Sequence, residues 1–163
     1  MQMGKHVSET PATAYLRRHR IEFTEHVFDY VEHGGAAEGA RQLDLDGHHV
    51  IKTLIMQDEK GKPLVVLMHG DRRVSTKNLA RGIGRKAVEP CDPAVAQRHS
   101  GYQIGGTSPF GIRRAMPVFV ERGVLDLTRI YINGGRRGYL VGISPAVLTQ
   151  LLDAQPVDCA LEE

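Results

Sequence analysis

Two apolar runs joined by a short polar turn constrain the fold of this chain more than any other feature. Residues 50–56 and 64–69 are rich in valine, isoleucine, leucine and methionine, and residues 58–63 between them read Asp-Glu-Lys-Gly-Lys-Pro. Short apolar runs bounded by turn residues predict strands, and the short connection predicts that they pair as a β-hairpin. Lys52 stands inside the first run. The sequence therefore predicts a hairpin that carries one cationic side chain in an otherwise apolar strand.

The rest of the chain alternates between helix and strand patterns. Thr10-Pro11, Ser75 and Ser144-Pro145 are typical of helix starts, because a hydroxyl caps the first turn and proline fits there. Helices are predicted over residues 11–16, 36–43, 75–83, 93–99 and 145–152, and further strands over 22–30, 117–120, 129–132 and 139–143. This order predicts a single α+β domain over residues 1–163, built around a mixed, mostly antiparallel sheet.

The composition is that of an ordinary globular domain. Of 163 residues, 41% are hydrophobic and 25% are charged, which allows a substantial core. No run approaches the ~18 apolar residues that a membrane span needs, and residues 1–6 lack the apolar segment of a signal peptide. We therefore expect a cytoplasmic protein without membrane association.

The cysteines and histidines do not predict a metal site. Cys91 and Cys159 lie far apart without a C-x-x-C motif, so we expect free thiols. The eight histidines show neither H-x-x-x-H nor H-E-x-x-H spacing, and the adjacent His48 and His49 would point in different directions. We expect surface or hydrogen-bonded histidines, with no metal and no cofactor.

Basic residues occur in pairs, although the net charge is only +2. Doublets such as Arg113-Arg114 and Arg136-Arg137 can contact a phosphate backbone, or they can form a solvated rim that favours solubility. No aromatic residue is interleaved with the doublets, so the sequence does not indicate stacking on single-stranded bases. Both interpretations of the arginines stay open.

A glycine-rich segment, Gly-Gly-Thr-Ser-Pro-Phe-Gly, begins at Gly105. Gly105 and Gly106 allow backbone conformations that other residues avoid, and they let a ligand approach backbone N–H groups. Pro109 restricts Ser108, but a loop that only links a helix to a strand would need the same residues. Because Phe110 stands where G-x-S-x-G needs its second glycine, Ser108 is not predicted to be a nucleophile.

Lys52 also has two interpretations. Strand alternation places it on the same face as Val50 and Leu54. It can lie on an exposed face with its ammonium in water. Alternatively it lies at the mouth of a pocket and holds a carbonyl or phosphate oxygen, with the glycine-rich loop as the second wall.

Several segments, taken in order, resemble one family. They are Ile-Lys-Thr-Leu at 51–54, Asp-Pro-Ala-Val-Ala-Gln at 92–97, Ser-Gly-Tyr at 100–102, the glycine-rich loop at 105–111, and Ile-Tyr-Ile-Asn-Gly-Gly-Arg-Arg-Gly at 130–138. Over about residues 10–152 the chain resembles the YbaK/EbsC/ProX family, free-standing relatives of the editing domain of bacterial prolyl-tRNA synthetase. The resemblance implies a compact α+β domain with a barrel-like mixed sheet of six or seven strands.

The resemblance also implies a deacylase of mischarged aminoacyl-tRNA, from the branch that acts on Cys-tRNA(Pro). The family's essential lysine falls on Lys52. Predicted substrate contacts are Phe28, Thr53, Gly105, Gly106, Thr107, Ser108 and Pro109, with Arg136 and Arg137 as weaker contacts to tRNA. Phe28 replaces a tyrosine of the cysteinyl branch, and Leu140 replaces an aspartate of some members. Loss of these polar groups can shift the preference toward alanine, serine or proline.

An aminoacyl ester is already activated, so its hydrolysis depends mainly on a placed carbonyl and a stabilised oxyanion. Lys52 and the N–H groups of the loop can supply that stabilisation. The attacking group can be water helped by the ribose 2′-hydroxyl, or the thiol of a cysteinyl substrate. The implied partners are the aminoacylated 3′ end of tRNA and prolyl-tRNA synthetase. Two other classes stay open: a non-catalytic module that binds tRNA or a synthetase, and a small-molecule hydrolase or lyase that uses Lys52.

Overall fold

The computed structural model describes residues 9–161. Its helices are α1 (Pro11–Arg18), α2 (Gly35–Leu43), α3 (Thr76–Ile83), α4 (Pro93–Ser100) and α5 (Ala146–Leu152), with a 3-10 helix at Arg122–Asp126. Its strands are β1 (Thr24–Val27), β2 (Val50–Asp58), β3 (Pro63–His69), β4 (Val88–Pro90), β5 (Val118–Glu121), β6 (Ile130–Asn133), β7 (Tyr139–Ile143) and β8 (Gln155–Val157). None of the helices in residues 9–161 has the length and hydropathy that a membrane crossing requires.

All eight strands belong to one mixed sheet. Seven of them follow the order β1-β7-β6-β2-β3-β5-β8, and β4 pairs with β2 beside this path. The pairings β1–β7, β6–β7, β2–β3 and β2–β4 are antiparallel, whereas β2–β6, β3–β5 and β5–β8 are parallel. The predicted α+β domain with a mixed, mostly antiparallel sheet is confirmed, although the described sheet has eight strands where the resemblance implied six or seven.

The hairpin of β2 and β3 forms the centre of this sheet. Its two strands pair from Ile51 opposite His69 to Gln57 opposite Pro63, which confirms the predicted hairpin. Ile51, Ile55, Val65 and Leu67 belong to the core cluster that also contains residues of α1, α4 and α5, whereas Met56, Leu64, Val66 and Met68 pack with residues of α3. Because alternate side chains enter different layers, every residue of β3 is buried.

The starts of α1 and α3 agree with the sequence because their signals are local, whereas α5 begins at Ala146 with Pro145 as its N-cap, which makes no side-chain cap hydrogen bond. Thr10 Oγ1 accepts a hydrogen bond from Thr13 N at 3.0 Å at the start of α1. Ser75 Oγ accepts one from Asn78 N at 3.1 Å at the start of α3, and Gly84 ends this helix with a φ of +72°. Each cap satisfies a backbone group that the helix itself leaves unpaired.

The structure also contains three elements that the sequence did not predict, namely β4, β8 and the 3-10 helix. The two strands have three residues each, and each contains a proline, which weakens the local strand signal. They form strands because β4 pairs with an edge of β2 and β8 pairs with an edge of β5. Conversely, the strand predicted over residues 22–30 is shorter, since only Thr24–Val27 pairs with β7.

One edge of β2 is interrupted, and this interruption positions the site. β6 pairs with this strand only at Val50 and Ile51, and β4 only from Met56 onward. Cys91 N donates to Ile55 O at 3.1 Å, so the backbone of Ile55 faces the edge that β4 and β6 share. Backbone groups alternate in direction along a strand, so the N–H and C=O of Thr53 face the same edge. Within residues 9–161 no strand lies opposite them.

Candidate active site

A cavity of about 380 Å³ opens beside the interrupted edge of β2. Its apolar wall includes Phe28, Val50, Leu54, Ile104 and Leu140, and its polar side chains are Lys52, Thr53, Cys91, Thr107 and Asn133. An apolar cavity with a few convergent polar groups is typical of a small-molecule site. The structure thus brings together the lysine of β2 and the glycine-rich loop, as the second interpretation of Lys52 predicted.

Lys52 is half-buried in the wall of this cavity. Its Nζ donates a hydrogen bond to the carbonyl oxygen of Arg72, in the turn that follows β3. Burial lowers the pKa of Lys52, the carboxylate of Asp71 raises it, and the guanidinium of Arg73 lowers it further; the net direction is down. The ammonium is therefore held by one backbone oxygen while it is partly stripped of water, which strengthens its field inside the cavity.

Thr53 contributes the second polar group of the wall. Its Oγ1 is buried and has no hydrogen-bond partner among the described residues. A buried hydroxyl without a partner is unfavourable by about 1–3 kcal/mol. Together with its unpaired backbone edge, Thr53 offers a donor and acceptors that a ligand can satisfy.

The glycine-rich loop forms the opposite wall through Gly105 and Thr107. Gly105 has a φ of +87°, a conformation that L side chains rarely adopt. Its carbonyl oxygen accepts a hydrogen bond from Asn133 Nδ2 at 3.3 Å. Arg137 Nε donates to the carbonyl oxygen of Ile104 at 2.8 Å, so the turn between β6 and β7 holds the loop in place.

Gly106, Ser108 and Pro109 are buried, and they do not belong to the cavity lining. A Cβ on Gly106 would lie 2.8 Å from the backbone N of Arg137, so this glycine permits a close approach between the two loops. Ser108 Oγ accepts a hydrogen bond from Phe110 N at 3.2 Å within the loop. The structure therefore places these three residues behind the cavity wall, where they determine its shape.

Phe28 and Leu140 lie in the apolar wall, as their side chains require. Leu140 is 5% exposed, and it belongs to a small cluster with Val50 and Ala40 against which Phe28 packs. Arg136 and Arg137, the predicted tRNA contacts, are exposed in the turn beside the mouth.

Sequence reasoning missed two polar residues of the cavity. Asn133 Oδ1 accepts from Gly135 N at 2.7 Å, and Asn133 Nδ2 reaches Gly105, so its side chain joins the two loops. Cys91 is a free thiol, as predicted, and it lies in the cavity wall. Burial raises the pKa of the Cys91 thiol, and Asp92 and Glu89 raise it further. A raised pKa disfavours the thiolate, so Cys91 is a poor nucleophile.

A histidine cluster surrounds Asp71, whose charge acts on Lys52. His48 Nδ1 donates to Asp71 Oδ1 at 2.9 Å, and His69 Nδ1 donates to the carbonyl oxygen of His48 at 2.7 Å. The ligand atoms of these three residues lie within 4.8 Å of one another. The two rings are stacked, with centroids 3.6 Å apart and planes 8° apart, and one nitrogen of each ring is engaged in a hydrogen bond. We interpret the cluster as support for Asp71 beside Lys52.

The cavity therefore combines an ammonium, an unpaired strand edge and a glycine-rich loop in an apolar setting. Such groups bind a carbonyl or phosphate oxygen and stabilise negative charge that develops on it. Within residues 9–161 no histidine lines the cavity, so its wall offers no imidazole as a general base.

The comparisons with known proteins define the class. The family model of the aminoacyl-tRNA editing domain matches residues 33–151, which include the interrupted strand, the glycine-rich loop and the turn that holds it. The chain belongs to this family. This membership agrees with the resemblance noted in the sequence.

Two individual relatives and one solved structure are similar to this chain. The chain is 26% identical over 164 residues to EbsC of Enterococcus faecalis, a proposed Cys-tRNA(Pro)/Cys-tRNA(Cys) deacylase, with all of both chains covered. It is 27% identical over 109 residues to the proline–tRNA ligase of Streptococcus equi subsp. zooepidemicus, which covers 66% of this chain and 18% of the ligase. The crystal structure of a proposed trans-editing enzyme for prolyl tRNA synthetase has the same fold, with a TM-score of 0.80, 21% identity and coverage of 93% and 96% of the two chains.

Proposed function

We propose that this editing domain hydrolyses the ester bond of mischarged aminoacyl-tRNA, with Cys-tRNA(Pro) as its substrate, in the cytoplasm where charged tRNA is used. The observation that carries the proposal is the half-buried Lys52 in an apolar cavity opposite the loop of Gly105 and Thr107. Full-length similarity to the proposed deacylase EbsC supports the substrate.

In this proposal Lys52 is the catalytic residue. Its ammonium stabilises the oxyanion that forms when the ester carbonyl is attacked, and Gly105 and Thr107 present the loop backbone to the same substrate. The free hydroxyl and the unpaired backbone groups of Thr53 form hydrogen bonds with the aminoacyl group. Gly106, Ser108 and Pro109 act through the shape of the loop, because they are buried outside the cavity lining. Removal of one preorganised oxyanion donor typically lowers kcat about 100- to 1000-fold.

The attacking group comes from outside the protein. Cys91 is disfavoured by its raised pKa, and no histidine of residues 9–161 lines the cavity. The nucleophile is then water assisted by the ribose 2′-hydroxyl, or the thiol of a cysteinyl substrate. Attack by that thiol breaks the ester bond to the ribose oxygen and forms a thiolactone, which water opens to free cysteine. An alanyl ester distinguishes these two nucleophiles. It has no thiol, so only assisted water can hydrolyse it.

The cavity favours a small and weakly polar amino acid. Its volume of about 380 Å³ is near the lower end for ligand sites, and Phe28 and Leu140 add apolar surface. A cysteine side chain behaves as a small hydrophobic group, whereas a serine hydroxyl needs a hydrogen-bond partner. Alanine differs from cysteine by one heavy atom, so discrimination against it is weak, about 10- to 200-fold at most.

We further propose that prolyl-tRNA synthetase acts beside this domain and supplies the mischarged tRNA. The similarity to proline–tRNA ligases supports this partner, since the matching segment is 18% of the Streptococcus equi enzyme. A domain of this size that recognises mainly the 3′ end would leave tRNA identity to the synthetase. Addition of the synthetase should then raise the selectivity for tRNA(Pro).

The test is deacylation of tRNA(Pro) charged separately with cysteine, alanine and proline. The wild type should release cysteine fastest, and Lys52→Ala should lower the rate about 100-fold or more. Lys62→Ala removes an exposed lysine from the turn of the same hairpin and serves as the matched control. Equal rates for wild type and Lys52→Ala would contradict the assigned role.

Other outcomes identify the competing classes. Preferential release of alanine would keep the mechanism and change the substrate. Salt-sensitive tRNA binding without turnover of any ester would indicate a binding module. Equal turnover of an ester on tRNA and on a minimal ribose would indicate a small-molecule hydrolase.

A further inference from the structure

An exposed aromatic and apolar rim surrounds the mouth of the cavity. Tyr30 is 36% exposed and Ile104 is 39% exposed, and both are among the few large hydrophobic side chains that the described residues leave in solvent. Ile104 lines the cavity, and Tyr30 lies against Gly105, which also lines it. Exposed large apolar groups at the edge of a polar site indicate a contact surface for a ligand.

Arg137 covers Tyr30 in a fixed arrangement. Its guanidinium carbon lies 4.5 Å from the centroid of the Tyr30 ring, a cation–π distance. Its Nε donates to the carbonyl oxygen of Ile104 at 2.8 Å, which orients the guanidinium plane. The arginine is thus held over the ring before any ligand arrives.

The loop is shaped to accept this ring. A Cβ on Gly105 would lie 2.9 Å from both Cε1 and Oη of Tyr30, so the ring occupies space that only glycine leaves free. The same glycine forms the cavity wall. The Tyr30–Arg137 pair is therefore separated from the cavity by a single residue of backbone.

We propose that the Tyr30–Arg137 pair binds the 3′-terminal nucleoside of tRNA by stacking against its base. This inference rests on the proposed function, because the ester of an aminoacyl-tRNA is carried by the ribose of that nucleoside. When the aminoacyl group is in the cavity, its base lies one sugar away, at the rim. Aromatic rings and guanidinium planes both stack on bases, and the cation also favours the adjacent phosphate.

The pair was not visible in the sequence. Tyr30 and Arg137 are far apart in the chain, and no aromatic residue stands between the two arginines of a doublet. The turn between β6 and β7 brings Arg137 over the segment that follows β1. The structure thus places an aromatic ring beside this doublet, although none is interleaved with it in the sequence.

Steady-state kinetics on two esters test the proposal. One is tRNA(Pro) with its normal terminal adenosine, and the other is the same tRNA with an abasic terminal ribose, both acylated chemically with cysteine. For the wild type, removal of the base should raise KM about tenfold with little change in kcat. Tyr30→Ala should raise KM to the same degree on the normal ester and have no further effect on the abasic one.

Two further variants test whether the ring of Tyr30 is what matters and whether the effect is specific to this site. Tyr30→Phe keeps the ring and should retain a KM within about twofold of the wild type. Arg18→Ala is a matched control, because Arg18 is also exposed and lies 5.8 Å from the Tyr15 ring, away from the cavity lining; it should leave both constants unchanged. If Tyr30→Ala raised KM equally on both esters, or if removal of the base left KM unchanged, the proposal would be overturned.

A binding measurement separates this proposal from the proposed function. Adenosine monophosphate should shift the NMR signals of the Tyr30 ring in the wild type, and Arg137→Gln should weaken that binding. If the Tyr30 signals shift but the protein hydrolyses no ester, the proposed function is contradicted and the stacking site is not. Normal hydrolysis, with a base-independent KM and no shift of the Tyr30 signals, would contradict the stacking site alone.

Discussion

At the scale of single residues, the site depends on how Lys52 remains charged inside an apolar wall. Burial lowers the pKa of its ammonium, whereas Asp71 raises it and Arg73 lowers it. The lysine is protonated below its pKa, so a lowered pKa means that it loses its charge at a lower pH than an exposed lysine does. The neighbouring turn after β3 therefore adjusts the pH range in which the ammonium is present.

Two substitutions in this turn should move the pKa of Lys52 in opposite directions. Asp71→Asn removes an attractive charge and should lower it, and Arg73→Gln removes a repulsive charge and should raise it. NMR titration of 13Cε-labelled lysine measures the midpoint without interference from alkaline hydrolysis of the ester. Shifts in the same direction for both variants would contradict this electrostatic account.

At the scale of elements, the cavity depends on two loops that meet closely. Gly106 approaches the backbone of the turn between β6 and β7, and the side chain of Asn133 joins that turn to Gly105. The hairpin and the caps at Thr10 and Ser75 were predictable, because their signals lie within a few residues. The joining role of Asn133 was not, because it depends on a contact across 28 positions of the chain. The gap in β2 was equally hidden, since it follows from where β4 and β6 stop pairing.

Gly106→Ala should damage the site through its shape. The new Cβ would lie 2.8 Å from Arg137 N and 2.9 Å from the carbonyl carbon of Arg136, so backbone must move. We expect a loss of about 1–3 kcal/mol in the free energy of unfolding and a higher KM. Urea denaturation and deacylation kinetics measure the two effects. Gly47→Ala is the control, because its nearest neighbour is a side-chain carbon at 3.7 Å; an effect as large as that of Gly106→Ala would show that any added methyl group is harmful.

At the scale of the whole molecule, the position of the charges matters more than their sum. The net charge of +2 is small, but Arg136 and Arg137 are exposed beside the mouth of the cavity. Other exposed arginines lie elsewhere, such as Arg81, which lines a separate groove with Arg122. A cation near the mouth lies close to the phosphates next to a 3′ end that enters the cavity.

Salt dependence of tRNA binding tests this placement. Arg136→Gln should weaken binding and reduce the slope of log K against log salt concentration by about 0.7–0.9, the value for one lost phosphate contact. Fluorescence anisotropy with labelled tRNA measures the slope. Arg81→Gln carries the same change of charge and should leave the slope unaltered. If Arg136→Gln also left the slope unaltered, Arg136 would belong to a solvated rim.

The interrupted edge of β2 has a consequence for association between molecules. A free strand edge normally invites a strand from another copy of the chain, which is how sheets aggregate. Here the unpaired stretch is confined to Lys52–Leu54, because β6 pairs up to Ile51 and Cys91 N already donates to Ile55 O. An extended chain needs several consecutive residues to add to a sheet, so this opening is too short to template one. The fold can thus expose backbone hydrogen-bonding groups to a small ligand while denying them to a neighbouring molecule.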